Sequence, residues 1–313
     1  MLLPLTLLSL SLAGCPTDPA DDDDATEEPT PEPPCGFWGA ADVVGEVEDA
    51  ALDEISGLVA SRQTPGALWV HEDSGAGPLL VALDTNGRTI AELTLTDAPA
   101  ADWEDMAIGA CAGEAPPADG GPWCLVVGDF GDNGESRPFV TLLTVEEPAV
   151  DLDRGEVEEL SLTATEVRAV YGEGAQNAEG LVLEPDGTPV VITKRNDGLA
   201  RLYRMPLTET DPPAEAQLLA ETRIGPVGGL VDTVTGADLN EAGDRLLLRT
   251  YTAGYLYELD EDGLPGIDPL QQRVLPVGAE PQGETIAWSA DGRDILHVSE
   301  DVQPPLYRLS CRD

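Results

Sequence analysis

Five copies of one polar–apolar–turn segment constrain this chain more than any other feature. They read ISGLVASRQTPGALWVHED, WEDMAIG followed after a loop by CLVVGDFGD, AEGLVLEPDGTPVVITKRND, VTGADLNEAGDRLLLRTY and GETIAWSADGRDILHVSED. Each opens polar, runs through an apolar strand, turns at a glycine and returns in a second strand that ends polar. Three turns are near-copies: PDG at 185–187, EAG at 241–243 and ADG at 290–292. A third strand-like run follows each copy: LLVALD, FVTLLTV, RLYRMPL, YLYELD and LYRLS. No stretch keeps a helical period, and turn signals recur every ~8–12 residues. Units of this kind cannot bury both faces alone, so they stack. The sequence therefore predicts an all-β chain folded as a β-propeller of five blades. A sixth stays open, because the second unit is long and residues 150–175 leave room for further strands. A two-sheet sandwich gives no reason to repeat one motif five times. The last unit stops at its third strand, and ADVVGEV near the start can supply the fourth, closing the ring with an N-terminal strand.

The amino terminus divides from this domain by composition. Residues 1–14, MLLPLTLLSLSLAG, are apolar but shorter than the ~20 residues a membrane-spanning helix needs. They read as the apolar region of a signal peptide. The run Leu12-Ala13-Gly14-Cys15 resembles the bacterial lipobox, which implies lipidation of Cys15 and an extracytoplasmic domain held on a cell-envelope membrane. No Lys or Arg precedes Arg62, so the basic start usual in such signals is missing. Residues 15–34 comprise that cysteine and a tether whose last 19 positions hold eight acids, six prolines and no base. Like charges keep such a segment extended and unpacked. Residues 35–313 form the propeller domain.

Four cysteines remain: Cys35, Cys111, Cys124 and Cys311. An exported chain permits disulfides, and four cysteines allow three pairings. Cys111 and Cys124 flank a loop between two strand-like runs, so they are expected to pair. Cys35 and Cys311 would then staple the two ends of the domain at the seam where the ring closes. No Cys-x-x-Cys spacing occurs, which argues against zinc.

The chain carries 60 acidic residues against 16 basic ones, a net charge of −44. Phosphate backbones are bound through clustered Lys and Arg, so nucleic acid is excluded as a partner. Membrane contact through the lipid anchor and an unidentified protein or small-molecule ligand are the partners expected.

The motifs EISGL, LWVHEDSG, DWEDMAIG, GDFGDN, AEGLVL, VTGADL and PQGETIAW are similar to those of a bacterial propeller family without established function. More distantly they resemble phytase-like and esterase-like propellers. The likeness runs from about residue 52 to 310. It implies the fold; activity it leaves open, because propellers host many chemistries.

In a propeller the first strand of each blade lines the channel and the second runs back beside it. The residues that open strand one and close strand two therefore share one face. The opening residues are Ser56, Glu104, Glu179, Thr235 and Glu284. The closing ones include His71, Asp73, Asp129, Lys194, Arg195, Arg249 and Glu300. Glu104, Glu179 and Glu284 offer oxygen ligands of the kind calcium or magnesium prefers, and make the candidate metal set. The bases could instead neutralise those carboxylates or grip an anionic substrate. Carboxylates that merely hydrogen-bond neighbouring amides would explain the same ring. His71, beside two acids, is a candidate general base. No Gly-x-Ser-x-Gly elbow, phosphate loop or His-Glu-x-x-His helix occurs. The sequence thus supports a ligand- or partner-binding propeller with an acidic channel face. A metal-dependent phosphoric or carboxylic ester hydrolase and a purely structural envelope protein are the alternatives.

Overall fold

The computed structural model describes residues 35–115, 117–225, 232–278 and 280–312. The expected signal peptide, Cys15 and the tether lie outside the described residues. Contacts divide the chain into residues 1–34 and Cys35–Asp313, and every described strand belongs to the second unit.

The described domain is all-β. Strand β1 (Asp42–Glu46) precedes a first unit of β2 (Ile55–Ala60), β3 (Ala67–Glu72), β4 (Leu79–Asp84) and β5 (Thr89–Thr96). Next come β6 (Trp103–Ala110), β7 (Trp123–Asp129), β8 (Val140–Glu146), β9 (Glu158–Thr163) and β10 (Thr165–Tyr171). The third unit is β11 (Ala178–Leu183), β12 (Pro189–Thr193), β13 (Leu199–Arg204) and β14 (Ala214–Arg223). The fourth is β15 (Val234–Leu239), β16 (Arg245–Thr250), β17 (Gly254–Glu258) and β18 (Gln272–Leu275). The fifth is β19 (Ala287–Trp288), β20 (Ile295–His297) and β21 (Pro305–Leu309).

Hydrogen bonding groups these strands into sheets of four, eight, four and five strands, which the repeats divide into units of four. β10 completes the second unit against β8, while β9 adds itself parallel to the outer edge of β5. Residues 150–175, where a sixth unit had room, thus extend units already present. β10 also pairs in parallel with β14, so the second and third units share one continuous sheet. β1 pairs antiparallel with β21 and supplies the fourth strand of the last unit, as the ADVVGEV run predicts.

The ring closes through the inner strands. β2 packs on β6, β6 on β11, β11 on β15, β15 on β19, and β19 back on β2. The apolar residues sort into five clusters, each between two adjacent units. Trp69 and Leu80 meet Met106 and Leu125; Val126 and Leu142 meet Val191 and Tyr203. Ile192 and Leu202 meet Leu246 and Tyr255, Leu247 and Leu256 meet Trp288 and Ile295, and Leu296 and Leu306 meet Leu68 and Val70. Successive strand side chains point to opposite faces, so Trp69 packs on the second unit while Leu68 and Val70 pack on the fifth. Units buried on both faces must be apolar at successive positions, which is why the inner strands read as unbroken apolar runs. Cys35–Cys311 and Cys111–Cys124 are both disulfides, with Cα separations of 5.7 and 5.0 Å.

Candidate functional site

A backbone irregularity repeats at the start of every inner strand. Ile55 pairs with Glu72 but Gly57 with His71, which leaves Ser56 as an extra residue. The same slip occurs between Trp103 and Asp105, Ala178 and Gly180, and Val234 and Gly236. In the fifth unit Gly283 bridges Ser299 while Ala287 pairs with Leu296, so one residue is again in excess. A β-bulge re-aims the side chain of its extra residue. The residues so placed are Ser56, Glu104, Glu179, Thr235 and Glu284, the five opening positions. All five are buried.

They do not act alike. Ser56 Oγ donates to the carbonyl of Glu104, and Thr235 Oγ1 to that of Gly283 at 2.7 Å. Each hydroxyl ties its inner strand to the next unit. The glutamates are charge-bearing and close enough to perturb one another. Burial first, then Glu179, Asp73 and Asp102, push the Glu104 carboxyl up to about 11, and no hydrogen-bond donor among the described residues relieves it. Burial and then Glu179 raise Glu284 to about 9. Glu179 rises less, to about 7, because Lys194 offsets its burial.

The residues just past the closing pairs are Asp73, Phe130, Lys194, Tyr251 and Glu300; Phe130 is buried in the cluster between the second and third units, and the other four are polar. Lys194 Nζ donates to the Glu179 carboxylate and to Tyr251 Oη at 2.7 Å. Burial leads the upward shifts of Asp73 and Glu300, and Asp73 adds its repulsion to Glu300.

Other predicted residues point elsewhere. His71 is fully buried one step deeper, edge-on to Trp103 at 5.5 Å, with Nδ1 2.8 Å from the Glu72 carbonyl. Burial lowers its pKa to about 4. A Cβ at Gly57 would lie 2.1 Å from its Nε2, so strand backbone walls it from the channel face and a general-base role is not supported. Asp129 accepts from Arg137 Nη1 at 2.8 Å and from the Asp102 amide at 3.1 Å, fixing the loop that carries Asp102. Arg195 forks onto Asp197 and takes no part in the ring. Arg249 is paired with Glu280, both 1% exposed, and Glu280 also holds His297 Nδ1 at 3.0 Å. Two of the three bases expected to balance the glutamates are therefore committed to other acids.

Among the described residues, the carboxylates close enough to share one cation are Asp73, Asp102 and Glu104, each with an oxygen within 4.8 Å of the other two. Glu179 and Glu284 lie outside that group, so it shares Glu104 alone with the expected three-glutamate set. Calcium–oxygen distances of ~2.3–2.6 Å let one ion bridge oxygens up to about 5 Å apart. Gly131 backs the cluster: a Cβ there would stand 2.1 Å from Glu104 Oε1 and 2.5 Å from Asp102 Oδ2. Asp102 and Gly131 are not among the candidates read from the sequence; their place within the DWEDMAIG and GDFGDN runs is the signal that could have found them.

No family model matches the chain, and no curated protein matches its sequence. Among solved structures the chain is similar to the PQQ-bound form of aldose sugar dehydrogenase from Streptomyces coelicolor. That match has 13% identity and a TM-score of 0.45, covering 89% of this chain and 99% of the other.

Proposed function

We propose that this chain is a lipid-anchored, extracytoplasmic propeller that binds a ligand at its acidic channel face through a divalent cation held by Asp73, Asp102 and Glu104. The observation that carries the reading is Glu104. The residue is 5% exposed, and its carboxylate lies beside two further acids and lacks a hydrogen-bond donor among the described residues. A buried carboxylate in that position must stay protonated or meet a cation. The nearest bases are committed, Lys194 to Glu179 and Arg137 to Asp129. A hard cation on three carboxylate oxygens keeps open positions, since calcium takes 6–8 ligands. Carboxylate, phosphate or vicinal hydroxyl groups of a ligand suit those positions.

The test is calorimetric titration of the soluble domain with calcium, magnesium and manganese, beside a Glu104→Gln variant. Saturable binding lost in the variant supports the reading. Heats that are equal in both, or absent, would sink it. The anchor is tested separately: Cys15→Ser should release the protein from membranes, and a variant still sedimenting with them after a salt wash would refute lipidation there.

Metal-dependent ester hydrolysis is the second reading, favoured by the acids that flank the cluster. Glu284, raised to about 9, can hold a proton at neutral pH, as a general acid must. Cation-dependent cleavage of p-nitrophenyl phosphate or acetate, lost in Glu284→Gln, distinguishes it from binding alone. A purely structural role would suit an apolar plug, whereas this mouth carries carboxylates.

A further inference from the structure

The opposite mouth of the channel carries a cavity with chemistry unlike that of the acidic face. It is framed by the connections between the first two strands of the units, which contribute Arg62, Pro117, Pro185, Asn240 and Asp291. A pocket of about 210 Å³ is walled by Ile108, Trp123, Leu183, Pro185 and Leu239. It adjoins a shallower one of about 550 Å³ that shares Arg62, Asn240 and Glu241 and reaches Trp288. The turns are locked together. A Cβ at Gly187 would lie 2.2 Å from the Ala110 carbonyl, and one at Gly243 2.6 Å from Pro185. The cavity therefore belongs to the folded ring and not to a single loop.

Among the described residues, Arg62 is the one cation lining either pocket. Its guanidinium lies 5.8 Å from the Trp123 ring centroid. A guanidinium has five donors; here Nη1 reaches the Ala60 carbonyl at 3.3 Å, and Nε is buried with no partner. Glu241 stands exposed at the rim of both pockets, and the other polar groups around Arg62 are engaged. Glu184 is forked by Arg204 through two contacts of 2.6 Å. Asn240 Oδ1 accepts from the Asp244 and Arg245 amides, and Asp291 from Ser289 and the Arg293 amide. Asp238, deeper in the channel, feels the Arg62 charge but accepts from the Trp288 amide. A positive fork standing over an indole in an apolar pocket is thus left with donors to fill.

We propose that this turn-side mouth binds a small aromatic monocarboxylate, its carboxylate on Arg62 and its ring against Trp123 and the apolar wall. A carboxylate matches the planar fork with two oxygens. An aromatic ring matches the indole face. The volume is below the ~300–1,000 Å³ of drug-sized sites, which limits the ligand to about one ring. A phosphate dianion fits less well, because Glu184, Glu241 and Asp291 stand at the rim and repel two charges more than one. This site uses none of the residues of the acidic face, so either can fail alone.

The probe is benzoate, with benzyl alcohol as its uncharged partner, followed by amide chemical shifts of the ¹⁵N-labelled domain. Benzoate should shift Gly109, Ala110, Asn240 and Glu241 saturably and leave Glu104, Glu179 and Glu284 unmoved. Benzyl alcohol should bind about ten-fold or more weaker, the loss expected for one charged hydrogen-bonding pair. Arg62→Met should abolish the preference for benzoate without altering benzyl alcohol, and Arg62→Lys should keep part of it. Arg62→Lys also serves should the methionine variant fold poorly. No saturation by benzoate, binding indifferent to both substitutions, or shifts confined to the acidic face would each overturn the proposal.

Discussion

Lys194 donates its ammonium to the Glu179 carboxylate, and this pair divides the channel face into a neutralised side and an unneutralised one. Tyr251 accepts a second hydrogen bond from Lys194 at 2.7 Å, with the ammonium 4.8 Å from its ring. Glu179 is thereby kept near 7, whereas Glu104, beside Asp73 and Asp102 with no base of its own, rises to about 11. On the cation-binding proposal, that contrast assigns the ion to the Glu104 side and not to Glu179.

The cation-free domain should lose stability as pH rises. Glu179, Glu284 and Glu104 all have folded-state pKa values above the ordinary 4.5, at about 7, 9 and 11. The folded state therefore binds more protons than the unfolded one above pH ~4.5, and unfolding free energy falls with pH across that range. His71, lowered to about 4, works in the opposite sense below its ordinary 6.5. Its protonation favours the unfolded chain, and the two slopes set an optimum on the mildly acidic side. In chelator, the melting temperature should decline from about pH 6 to pH 9. Millimolar calcium should flatten the decline, by about 2.7 kcal/mol at 100-fold over Kd. A melting temperature that climbs through this range in chelator would contradict the assignment of uncompensated carboxylates.

Gly131→Ala probes the geometry of the cluster without altering a charge. The added methyl would collide with Glu104 Oε1 and Asp102 Oδ2, so one carboxylate must move. The variant should be destabilised by about 1–3 kcal/mol, the range for overpacking a buried site. It should also lose calcium stabilisation while retaining the fold, as read by circular dichroism and thermal melts with and without the ion. An unchanged calcium increment would place the ion elsewhere.

Much of this architecture was legible in the chain because a propeller repeats its local rules. The PDG, EAG and ADG turns, the apolar runs either side of them and the polar opening residues each mark a unit. The two disulfides follow from Cys111 and Cys124 flanking one loop and from Cys35 and Cys311 flanking the domain. What could not be read was side-chain direction. Arg249 sits at a closing position, yet Glu280, far off in the register, captures it. Lys194 matches Asp73 in the repeat register, just two places beyond His71. Yet His71 is sealed behind Gly57 and Trp103, while Lys194 reaches the rim. The bulge explains the ring of opening residues, but a bulge is a property of pairing between strands and leaves no fixed residue type behind. Glycine follows it in three units, as Gly57, Gly180 and Gly236, and Asp105 and Thr285 take that place in the others.

Arg249→Met should be the most destabilising single change at the channel rim. It would leave the Glu280 carboxylate buried with His297, whose pKa burial lowers, as its remaining hydrogen-bond partner. Removing one member of a buried ion pair costs about 3–5 kcal/mol, because the other charge stays desolvated. The double variant Arg249→Met, Glu280→Gln should recover part of that loss, and chemical denaturation of the four proteins completes the cycle. Additive losses would show that the two groups do not interact.

The two disulfides should contribute unequally, and the larger share belongs to the seam. Cys35–Cys311 spans 276 residues and Cys111–Cys124 only 13. In the chain-entropy description these loops correspond to about 5–6 and about 3 kcal/mol of constraint on the unfolded chain. The seam bond also lies where β1 joins β21, so its loss leaves the ring held by that strand pair and by the cluster around Trp38 and Trp288. Cys35→Ser with Cys311→Ser should therefore lower the denaturation midpoint more than Cys111→Ser with Cys124→Ser. Hydrogen exchange should accelerate first in β1 and β21 of the seam variant, before the inner strands β6 and β11. If the loop-pair variant proves the weaker protein, or if exchange in the seam variant rises uniformly around the ring, then closure does not depend on the staple.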